Sequence, residues 1–396
     1  MMIFAATMEQ AKVRALSGAA SDFVAHVASD YSAVKPVWEQ LAEAGAALPF
    51  QRGTWLAPWY AAHGRASHQP LLVTVADAKT GAPVVALPLV RYHDGHLRVI
   101  GFADAGLTDY NAPILGPRAP RDAASARNIL KAVRAALPPA DVLHFDKMPG
   151  VIGGLPNPLA LLQQTRTASL TGNILPVPFA WDVWHWGLER TFRKELERSL
   201  RVFLKHEGAQ FRRITEPQEI ARIYAELKIQ QRERIAELGL PYILDQPESE
   251  AFYDRLVSDG GAILTALTVG DEVVAALLGI AQGAHYAMVR LSTAGAKWKT
   301  CSPGRLLIER TMQMLHGEGY RLFDFTIGDY AYKRRMGVAA VPLCELTLAL
   351  SWRGMPLVAA EALKHRVRQS PGLKLWAKAF RDRALPAGFF RRSSRP

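Results

Sequence analysis

The 396-residue chain has only two cysteines, Cys301 and Cys344, and no uninterrupted apolar run of about 18 residues. Two cysteines cannot build a disulfide framework or a four-cysteine zinc site, which favours a reducing compartment. The missing apolar run argues against a membrane-spanning helix. No basic stretch precedes an apolar stretch at the start, and Glu9 comes too early for a secretory signal. We therefore predict a cytoplasmic protein.

An excess of positive charge is missing from most of the chain. The formal net charge is +12, but residues 364–396 contain ten Lys or Arg and one acidic residue, Asp382. Residues 189–213 contain eight basic and four acidic side chains, and the rest of the chain has 30 basic and 31 acidic ones. A protein that coats nucleic acid usually spreads its basic residues more widely. We therefore expect no specific nucleic-acid partner.

Several catalytic signatures are also absent. The chain has no Gly-x-Ser-x-Gly elbow, no P-loop and no His-Glu-x-x-His motif, which argues against common hydrolases, NTPases and zincins. Metal-ligand spacing is not found among His63, His68, His93, His96, His144 and His185. We therefore expect no metal cofactor.

The two halves of the chain repeat one order of elements. In the first half, strand-like runs over 71–102 precede a helix over 122–137 and a short strand over 141–146. In the second half, similar runs over 262–292 precede a helix over 302–316 and a strand over 321–327. Further helices are predicted near 34–44, 191–206, 215–238 and 248–257. The order favours an α/β (α+β) fold with a duplicated unit, although any α+β protein offers such parallels.

This order divides the chain into four parts. We predict a loose leader over 1–30, an N-terminal unit over 31–175, a C-terminal unit over 176–350 and a basic tail over 351–396. Residues 364–396 combine cations with aromatic residues such as Trp376 and Phe389, which suits an anionic membrane surface. This interpretation places the protein peripherally at the inner membrane. A disordered or core-docked C-terminus fits the same residues.

The stretch from Ser302 to Gly337 carries the clearest chemical pattern. Ser302, Pro303 and Gly304 open an amphipathic helix, whose first-turn N–H groups and dipole attract an anion. Arg305 can add a bidentate contact to a phosphate. The same residues also fit an ordinary capped helix.

The strand after that helix ends in a polar run over 328–335 that contains one Asp, two Tyr and three cations. A tyrosine can act as a general acid, a cation can stabilise an oxyanion, and a carboxylate can accept a proton. The alternative is a solvated charged loop.

A basic stripe marks the predicted helix near 191–206. It consists of Lys194, Arg198, Arg201 and Lys205, on a face other than that of Phe192, Leu196, Leu200 and Phe203. The stripe is either a solvated face or a contact for a polyanionic acceptor. Arg290 stands in an otherwise apolar strand, so it is either exposed or lines a cleft.

These motifs together resemble the GNAT acyltransferase superfamily. Within it, the chain is similar to the two-domain branch linked to cellulose biosynthesis, which is related to the Fem aminoacyltransferases. The resemblance spans about 36–340 and is carried by 302–337, 191–208, 55–90 and the loop Thr108-Asp109-Tyr110-Asn111. It implies two tandem GNAT-like units, each a mixed, mostly antiparallel twisted sheet flanked by helices, with a degenerate N-terminal unit.

The resemblance implies acetyl-CoA or a longer acyl-CoA as donor. The acceptor is then an amine or hydroxyl of a small molecule or saccharide related to the envelope or exopolysaccharide. The implied cofactor-binding residues are Arg290, Ser302, Gly304 and Arg305. The usual Arg/Gln-x-x-Gly-x-Gly/Ala loop is absent, and residues 294–297 only approximate it.

The resemblance also implies roles for individual residues. Lys333 matches a catalytic lysine of Fem-type proteins, and Tyr332 or Tyr330 is a candidate proton donor. Asp329, Asp324 and His285 are candidate bases, whose order the sequence does not decide. The substrate-binding candidates are Lys194, Arg198, Tyr330 and His285. Two alternatives stay open, namely a Fem-type aminoacyl-tRNA-dependent transferase and an inactive GNAT-shaped binding module at the membrane.

Overall fold

Apolar and β-branched runs of the two predicted meanders form the long strands of this fold. In the computed structural model, which describes residues 22–64 and 67–369, they join one mixed sheet of 13 strands. Side chains that alternate along each strand pack against helices on the two faces of this sheet.

The first half of the chain supplies the first nine strands and three helices. Their bounds are β1 (Phe23–Ala28), α1 (Tyr31–Ala44), α2 (Gly53–His63), β2 (Gln69–Asp77), β3 (Pro83–Asp94), β4 (Leu97–Phe102), β5 (Ile114–Leu115), α3 (Ala123–Ala136), β6 (Val142–Pro149), β7 (Val151–Ile152), β8 (Leu155–Pro156) and β9 (Arg166–Pro176). The short strands β7 and β8 form a separate hairpin.

The second half supplies seven helices and six strands. Their bounds are α4 (Trp181–Gly187), α5 (Arg190–Phe203), β10 (Ala209–Ile214), α6 (Pro217–Glu237), α7 (Pro247–Ser258), β11 (Ile263–Val269), β12 (Glu272–Gln282), β13 (His285–Thr293), α8 (Pro303–Gly317), β14 (Leu322–Asp324), α9 (Ala331–Arg335), β15 (Ala339–Ala349) and α10 (Met355–Gln369).

The sheet joins the two halves by an exchange of strands. Its order is β1-β2-β3-β4-β6-β15-β9-β14-β13-β12-β11-β10, and β5 pairs with β3. In each half, one parallel pair follows an antiparallel meander, β4 with β6 in the first and β13 with β14 in the second. The late strand β15 pairs with β6 of the first half, and β9 pairs with β14 of the second. Neither half of the sheet is therefore complete without a strand from the other.

The structure confirms the predicted fold class of a large, mostly antiparallel mixed sheet flanked by helices, with the same order of elements in both halves. The predicted helices and meanders correspond to observed elements. The sequence analysis does not predict β9 or β15, whose pairing partners lie far away along the chain. The division at residues 31, 176 and 351 stays a prediction.

The core is shared between the halves on one face of the sheet. Helices α1, α2, α6 and α7 bury their apolar side chains in one cluster, where the rings of Trp55 and Phe252 lie 4.8 Å apart. The neighbours Leu72 and Val73 belong to different clusters because successive strand residues point to opposite faces. The other face carries α3 in the first half and α4, α5 and α8 in the second.

The ends of the chain are described only in part. Strand β1 lies within the range predicted as a leader, and residues 1–21 lie outside the described residues. Helix α10 begins in the predicted tail, whose residues 370–396 also lie outside them. Within the described ranges, no helix combines the length and the hydropathy that crossing a bilayer requires.

Candidate active site

A cavity opens in the sheet where β13 and β14 diverge. The two strands pair in parallel only along His285–Ala287 and Leu322–Asp324, after which β14 ends and β13 continues to Thr293. The space between them has a volume of about 270 Å³. Its lining consists of Leu277, Met288, Val289, Arg290, Leu291, Ile308, Phe325, Thr326, Ile327, Tyr330, Tyr332 and Lys333. Seven of these twelve side chains are apolar, and the polar ones are Arg290 of β13 and Thr326, Tyr330, Tyr332 and Lys333 of the segment that follows β14.

Strand β14 ends early because the chain turns sharply at Thr326. This residue has a left-handed backbone (φ 58°), although the sequence pattern predicts a strand to Ile327. Asp324 Oδ1 accepts from the Thr326 N–H at 2.7 Å, and Asn173 Nδ2 donates to the carbonyl oxygens of Thr326 and Gly328. Gly328 (φ 103°) leaves room for the ring of Tyr330, because an added Cβ would lie 2.8 Å from that ring. The turn is thus held from several sides, as is common at functional sites.

The side chain of Lys333 forms hydrogen bonds to the backbone of this turn. Its side chain is buried, and Nζ donates to the carbonyl oxygens of Phe325 (2.6 Å), Ile327 (2.7 Å) and Thr326 (3.3 Å). Burial lowers the pKa of Lys333 to about 8, against the opposing effect of nearby carboxylates. Because all three ammonium donors are used, Lys333 positions the turn and brings a positive charge to the cavity wall.

The two tyrosines of the motif lie together at the cavity. The rings of Tyr330 and Tyr332 stack with centroids 5.9 Å apart, and Lys333 Nζ lies 5.3 Å from the Tyr330 ring centroid. Burial, with a smaller effect of Tyr330, raises the pKa of Tyr332 to about 12. Tyr332 is therefore protonated at neutral pH and able to donate a proton.

Asp324 and His285 lie beside the cavity and are not among its lining residues. The Tyr110 hydroxyl donates to Asp324 Oδ1 at 2.9 Å, and His285 Nε2 lies 3.3 Å from Asp324 Oδ2. Burial, reinforced by the charge of Asp324, raises the pKa of Tyr110 well above its usual range. Because Tyr110 follows β4, the first half of the chain contributes directly to this site.

The neighbour of Tyr110, Asp109, is a candidate that the sequence analysis did not assign to the site. Its carboxylate accepts a hydrogen bond from the Thr326 side chain, and its charge acts on both Lys333 and Tyr253. Burial raises the pKa of Asp109 to about 6, although the Thr326 hydrogen bond and Lys147 oppose this. The polar run 108–111 was the available signal, but its contact with residues more than 200 positions later is not visible in local sequence.

The start of α8 resembles the predicted anion site only in part. Ser302 occupies the N-cap position with a left-handed backbone (φ 45°), but its side chain makes no capping bond, contrary to the expected capped helix. Ser302 Oγ instead accepts from Arg305 Nη2 at 2.8 Å. An added Cβ at Gly304 would lie 3.2 Å from Thr293 Cγ2, so the glycine brings α8 close to the end of β13. The first-turn N–H groups therefore have no side-chain acceptor from the cap residue.

Arg305 is engaged by a neighbouring helix. Its Nη1 donates to Glu195 Oε2 at 2.9 Å, and the same carboxylate accepts two hydrogen bonds from Arg335, each of 2.9 Å. The two guanidinium groups, that of Arg335 foremost, hold the pKa of Glu195 below its usual range. Glu195 thus joins α5, α8 and α9.

The predicted cofactor residue Arg290 is separate from the start of α8. It lines the cavity, but its Nη1 donates to Gln231 Oε1 at 3.2 Å and its guanidinium lies 4.3 Å from the Tyr253 ring centroid. Both partners belong to helices on the face opposite α8. The structure therefore does not bring Arg290 together with Ser302, Gly304 and Arg305.

Three other predicted residues lie away from the cavity. Asp329 is exposed and forms an ion pair with Arg334. Lys194 and Arg198 are exposed on α5 and are not among the lining residues. Of the candidate set, the structure groups Arg290, Tyr330, Tyr332 and Lys333 around the cavity.

In residues 22–64 and 67–369, no three His, Cys, Asp or Glu side chains are arranged to hold a metal ion. Cys301 and Cys344 are both free thiols.

Comparison with known proteins assigns part of the chain and its fold. Residues 190–334, less than half of the chain, match the family model described as an acetyltransferase (GNAT) domain. No curated protein sequence matches the chain. The crystal structure of FemX aligns with a TM-score of 0.57 at 12% identity, covering 82% of this chain and 98% of FemX. A conserved protein of unknown function from Bacteroides thetaiotaomicron aligns with a TM-score of 0.52 at 11% identity, covering 82% and 99%. By the family match, residues 190–334 form a GNAT-type acetyltransferase domain, in a chain whose fold is similar to that of FemX.

Proposed function

We propose that the protein transfers an acetyl or longer acyl group from acyl-CoA to an amine or hydroxyl acceptor. The observation that carries this proposal is the cavity between β13 and β14, whose wall combines apolar side chains with Tyr330, Tyr332 and Lys333. Apolar side chains suit an acyl chain, and the polar wall places a proton donor and a positive charge beside the reacting carbonyl. The family match over 190–334 supports the same reaction class.

In this proposal Asp109 accepts the proton of the acceptor. Its pKa of about 6 leaves it mostly ionised at pH 7 and close to the range that favours general-base catalysis. The acceptor atom then bonds to the thioester carbon, and the charge of Lys333 stabilises the oxyanion. When the carbon–sulfur bond breaks, Tyr332 protonates the departing thiolate. Asp324 accepts a hydrogen bond from Tyr110, the residue after Asp109, and lies beside His285. These contacts help to hold Asp109 in place.

The start of α8 is the place we propose for the donor's pyrophosphate. The positive end of the helix dipole and the N–H of Gly304 fit an anion. The N–H groups of Arg305 and Leu306, in contrast, donate to the Ser302 carbonyl oxygen. Arg305 must share its charge between that anion and Glu195. The absence of a glycine-rich loop at 294–297 predicts weaker binding than such a loop would give.

We propose a saccharide or related molecule of the cell envelope or exopolysaccharide as the acceptor. Its support is the resemblance of residues 302–337 and 191–208 to the branch linked to cellulose biosynthesis.

Isothermal titration of the full chain tests the donor. We expect binding of acetyl-CoA, butyryl-CoA or palmitoyl-CoA, and the tightest of them indicates the acyl length. Tyr332→Phe should bind the same donor but transfer it slowly, because it loses only the acidic hydroxyl. Folded protein that binds none of the three thioesters would sink the proposal.

A Fem-type aminoacyl-tRNA-dependent transferase is the second candidate. The observation that favours it is the commitment of Arg305 to Glu195 and Ser302, which leaves no free guanidinium at the start of α8. The two candidates differ in donor. Transfer from an aminoacylated RNA hairpin, with no binding of acyl-CoA, would support this second function.

A further inference from the structure

Helix α5 presents a basic face that points away from the core. Phe192, Leu196 and Phe203 are buried, whereas the basic stripe of Lys194, Arg198, Arg201 and Lys205 is exposed on the opposite side of the helix. No ion pair to any residue of this stripe occurs in the described part of the chain. The two acidic residues of the helix have other partners, since Glu195 binds Arg305 and Arg335, and Glu197 lies 4.0 Å from Arg193. Within the described residues, the charge of the stripe therefore has no ion-pair partner.

Exposed apolar side chains lie beside this stripe. Trp186 is 66% exposed, and the guanidinium of Arg193 stacks on its ring at 4.4 Å from the centroid. Arg193, Leu200 and Leu204 follow at spacings of 7 and 4, so they form a flank of α5 next to the stripe, and Leu204 is 57% exposed. Trp186 thus joins the apolar flank to the basic face.

The segment before α5 adds further exposed apolar groups. Phe179 is 89% exposed, with the guanidinium of Arg321 at 4.9 Å from its ring centroid, and Val183 of α4 is 62% exposed. Single exposed apolar residues are common on soluble proteins, but four in a stretch of 26 residues beside an unpaired basic stripe indicate a binding surface.

We propose that α4 and α5 form a docking surface for the anionic headgroups of a lipid bilayer. Cations near such a surface gain electrostatic energy, while aromatic and aliphatic side chains insert at the boundary between headgroups and acyl chains. A single-stranded nucleic acid also binds cations and aromatic rings. Val183 and Leu204 favour the bilayer, because aliphatic side chains do not stack on bases. The surface is separate from the cavity, so the proposal does not depend on the acyltransferase function.

Vesicle co-sedimentation of the full chain tests this surface. The probes are vesicles of phosphatidylcholine alone and of phosphatidylcholine with phosphatidylglycerol at roughly 3:1, a strongly anionic surface. The first variant is the triple exchange Lys194→Glu, Arg198→Glu and Arg201→Glu on α5. The matched control is the triple exchange Arg127→Glu, Lys131→Glu and Arg134→Glu on α3, which has the same spacing, exposure and change of charge.

The wild type should bind the anionic vesicles and not the neutral ones. The α5 variant should lose affinity by about a hundredfold, because each basic residue near the surface contributes about fivefold. The α3 variant should stay within about threefold of the wild type, since it alters only the long-range field. The pair Phe179→Ser and Trp186→Ser should weaken binding by about tenfold through lost insertion. Circular dichroism shows whether each variant is folded.

Three results would overturn the proposal. The first is equal vesicle binding by the wild type and a folded α5 variant. The second is an equal loss in the α5 and α3 variants, which would reduce the effect to net charge. The third is tighter binding of a 20-nucleotide RNA than of vesicles with the same dependence on α5, which would make the surface a nucleic-acid site.

Discussion

The two halves of the sheet share a backbone plan and differ in what occupies the space beyond their parallel strand pairs. In each half the chain turns into a left-handed conformation just after the parallel pairing, at Lys147 (φ 53°) in the first and at Thr326 (φ 58°) in the second. The long side chain of Lys147 extends from β6 to the loop that follows β4, whereas the side chain of Thr326 is short. Lys147 thus bonds to the loop that follows β4, whereas a cavity lies beside Thr326.

Lys147 connects β6 to the loop that follows β4. Its Nζ lies 2.5 Å from Asp104 Oδ2 and donates to the Thr108 carbonyl oxygen at 2.6 Å, while Asn111 Nδ2 donates to both Asp104 and Asp146. Burial alone would lower the pKa of Lys147, but these carboxylates outweigh it and raise the pKa. Lys333 donates its hydrogen bonds to carbonyl oxygens, and burial lowers its pKa despite the opposing charges of nearby carboxylates. A structural cation and a cation at a candidate site thus differ in the groups that surround them.

The helices that connect the parallel strands differ in the same sense. Asp122 caps α3 by accepting from the N–H groups of Ala124 and Ser125, which fills that helix start with a carboxylate. Ser302 leaves the start of α8 without a side-chain cap. The first half has therefore lost a place for an anionic ligand, and it contributes instead the loop of Asp109 and Tyr110 to the second half.

Asp109→Asn has the largest expected effect on this comparison. We expect acyl transfer to fall on the order of a hundredfold or more, because the variant cannot accept a proton. The free energy of unfolding should rise by about 3 kcal/mol at pH 7, because a desolvated ionised carboxylate is removed. Transfer assays and urea unfolding measure the two effects.

The pH dependence of Asp109 has a defined sign. Since the folded pKa of about 6 is above the ordinary value of 3.8, the wild type loses stability relative to the variant as pH rises through that interval. The difference should vanish below about pH 4, and wild-type kcat/KM should fall below about pH 6. Normal transfer by Asp109→Asn would confine the chemistry to the second half of the chain.

Lys147→Met should be the most destabilising change in the first half. It leaves the carboxylate of Asp104 partly buried without its cation, at a cost of about 3 kcal/mol in the free energy of unfolding. The exposed Lys131→Met on α3 is the control and should change stability by less than about 0.5 kcal/mol. Equal urea midpoints for the two variants would show that the ion pair between Lys147 and Asp104 does not stabilise the first half.

Ser302→Asp gives α8 the carboxylate that α3 already has. We expect the Kd for acyl-CoA to rise about tenfold, because the carboxylate repels the pyrophosphate at the helix start. Ser302→Asn is the matched neutral variant and should bind acyl-CoA nearly as tightly as the wild type does. Asp and Asn both tolerate the left-handed backbone at this position, so the two variants differ mainly in charge. Titration calorimetry compares them, and unchanged binding by both would place the donor elsewhere.

Asp122→Ala has the smallest expected effect. Loss of the cap should lower the free energy of unfolding by about 1 kcal/mol and leave transfer unchanged, because α3 holds no ligand in our proposal. A clear drop in the rate of acyl transfer at the same donor concentration would show that α3 takes part in transfer, which contradicts the proposed difference between the two halves.

Local patterns predicted the elements but not their long-range pairing. The apolar alternation of β11 to β13 and the periodicity of α5 and α8 are properties of neighbouring residues, so the sequence alone reveals them. Strand β15 contains Pro342 and pairs with residues about 190 positions earlier, which no local signal indicates.

The candidate site was predictable to a similar extent. Tyr330, Tyr332 and Lys333 lie within one motif, and the fold brings them together at the cavity. Asp329, in the same motif, precedes α9 and forms an exposed ion pair with Arg334. Asp109 was missed because its position depends on tertiary packing between the halves.

The exchange of β9 and β15 has a consequence for synthesis on the ribosome. Strand β6 leaves the ribosome with one edge unpaired, and its partner β15 follows about 190 residues later. At roughly 5–20 residues per second, that edge waits for roughly 10–40 s. An unpaired strand edge is a template for aggregation. The nascent chain therefore has a defined interval in which this edge can pair with another chain.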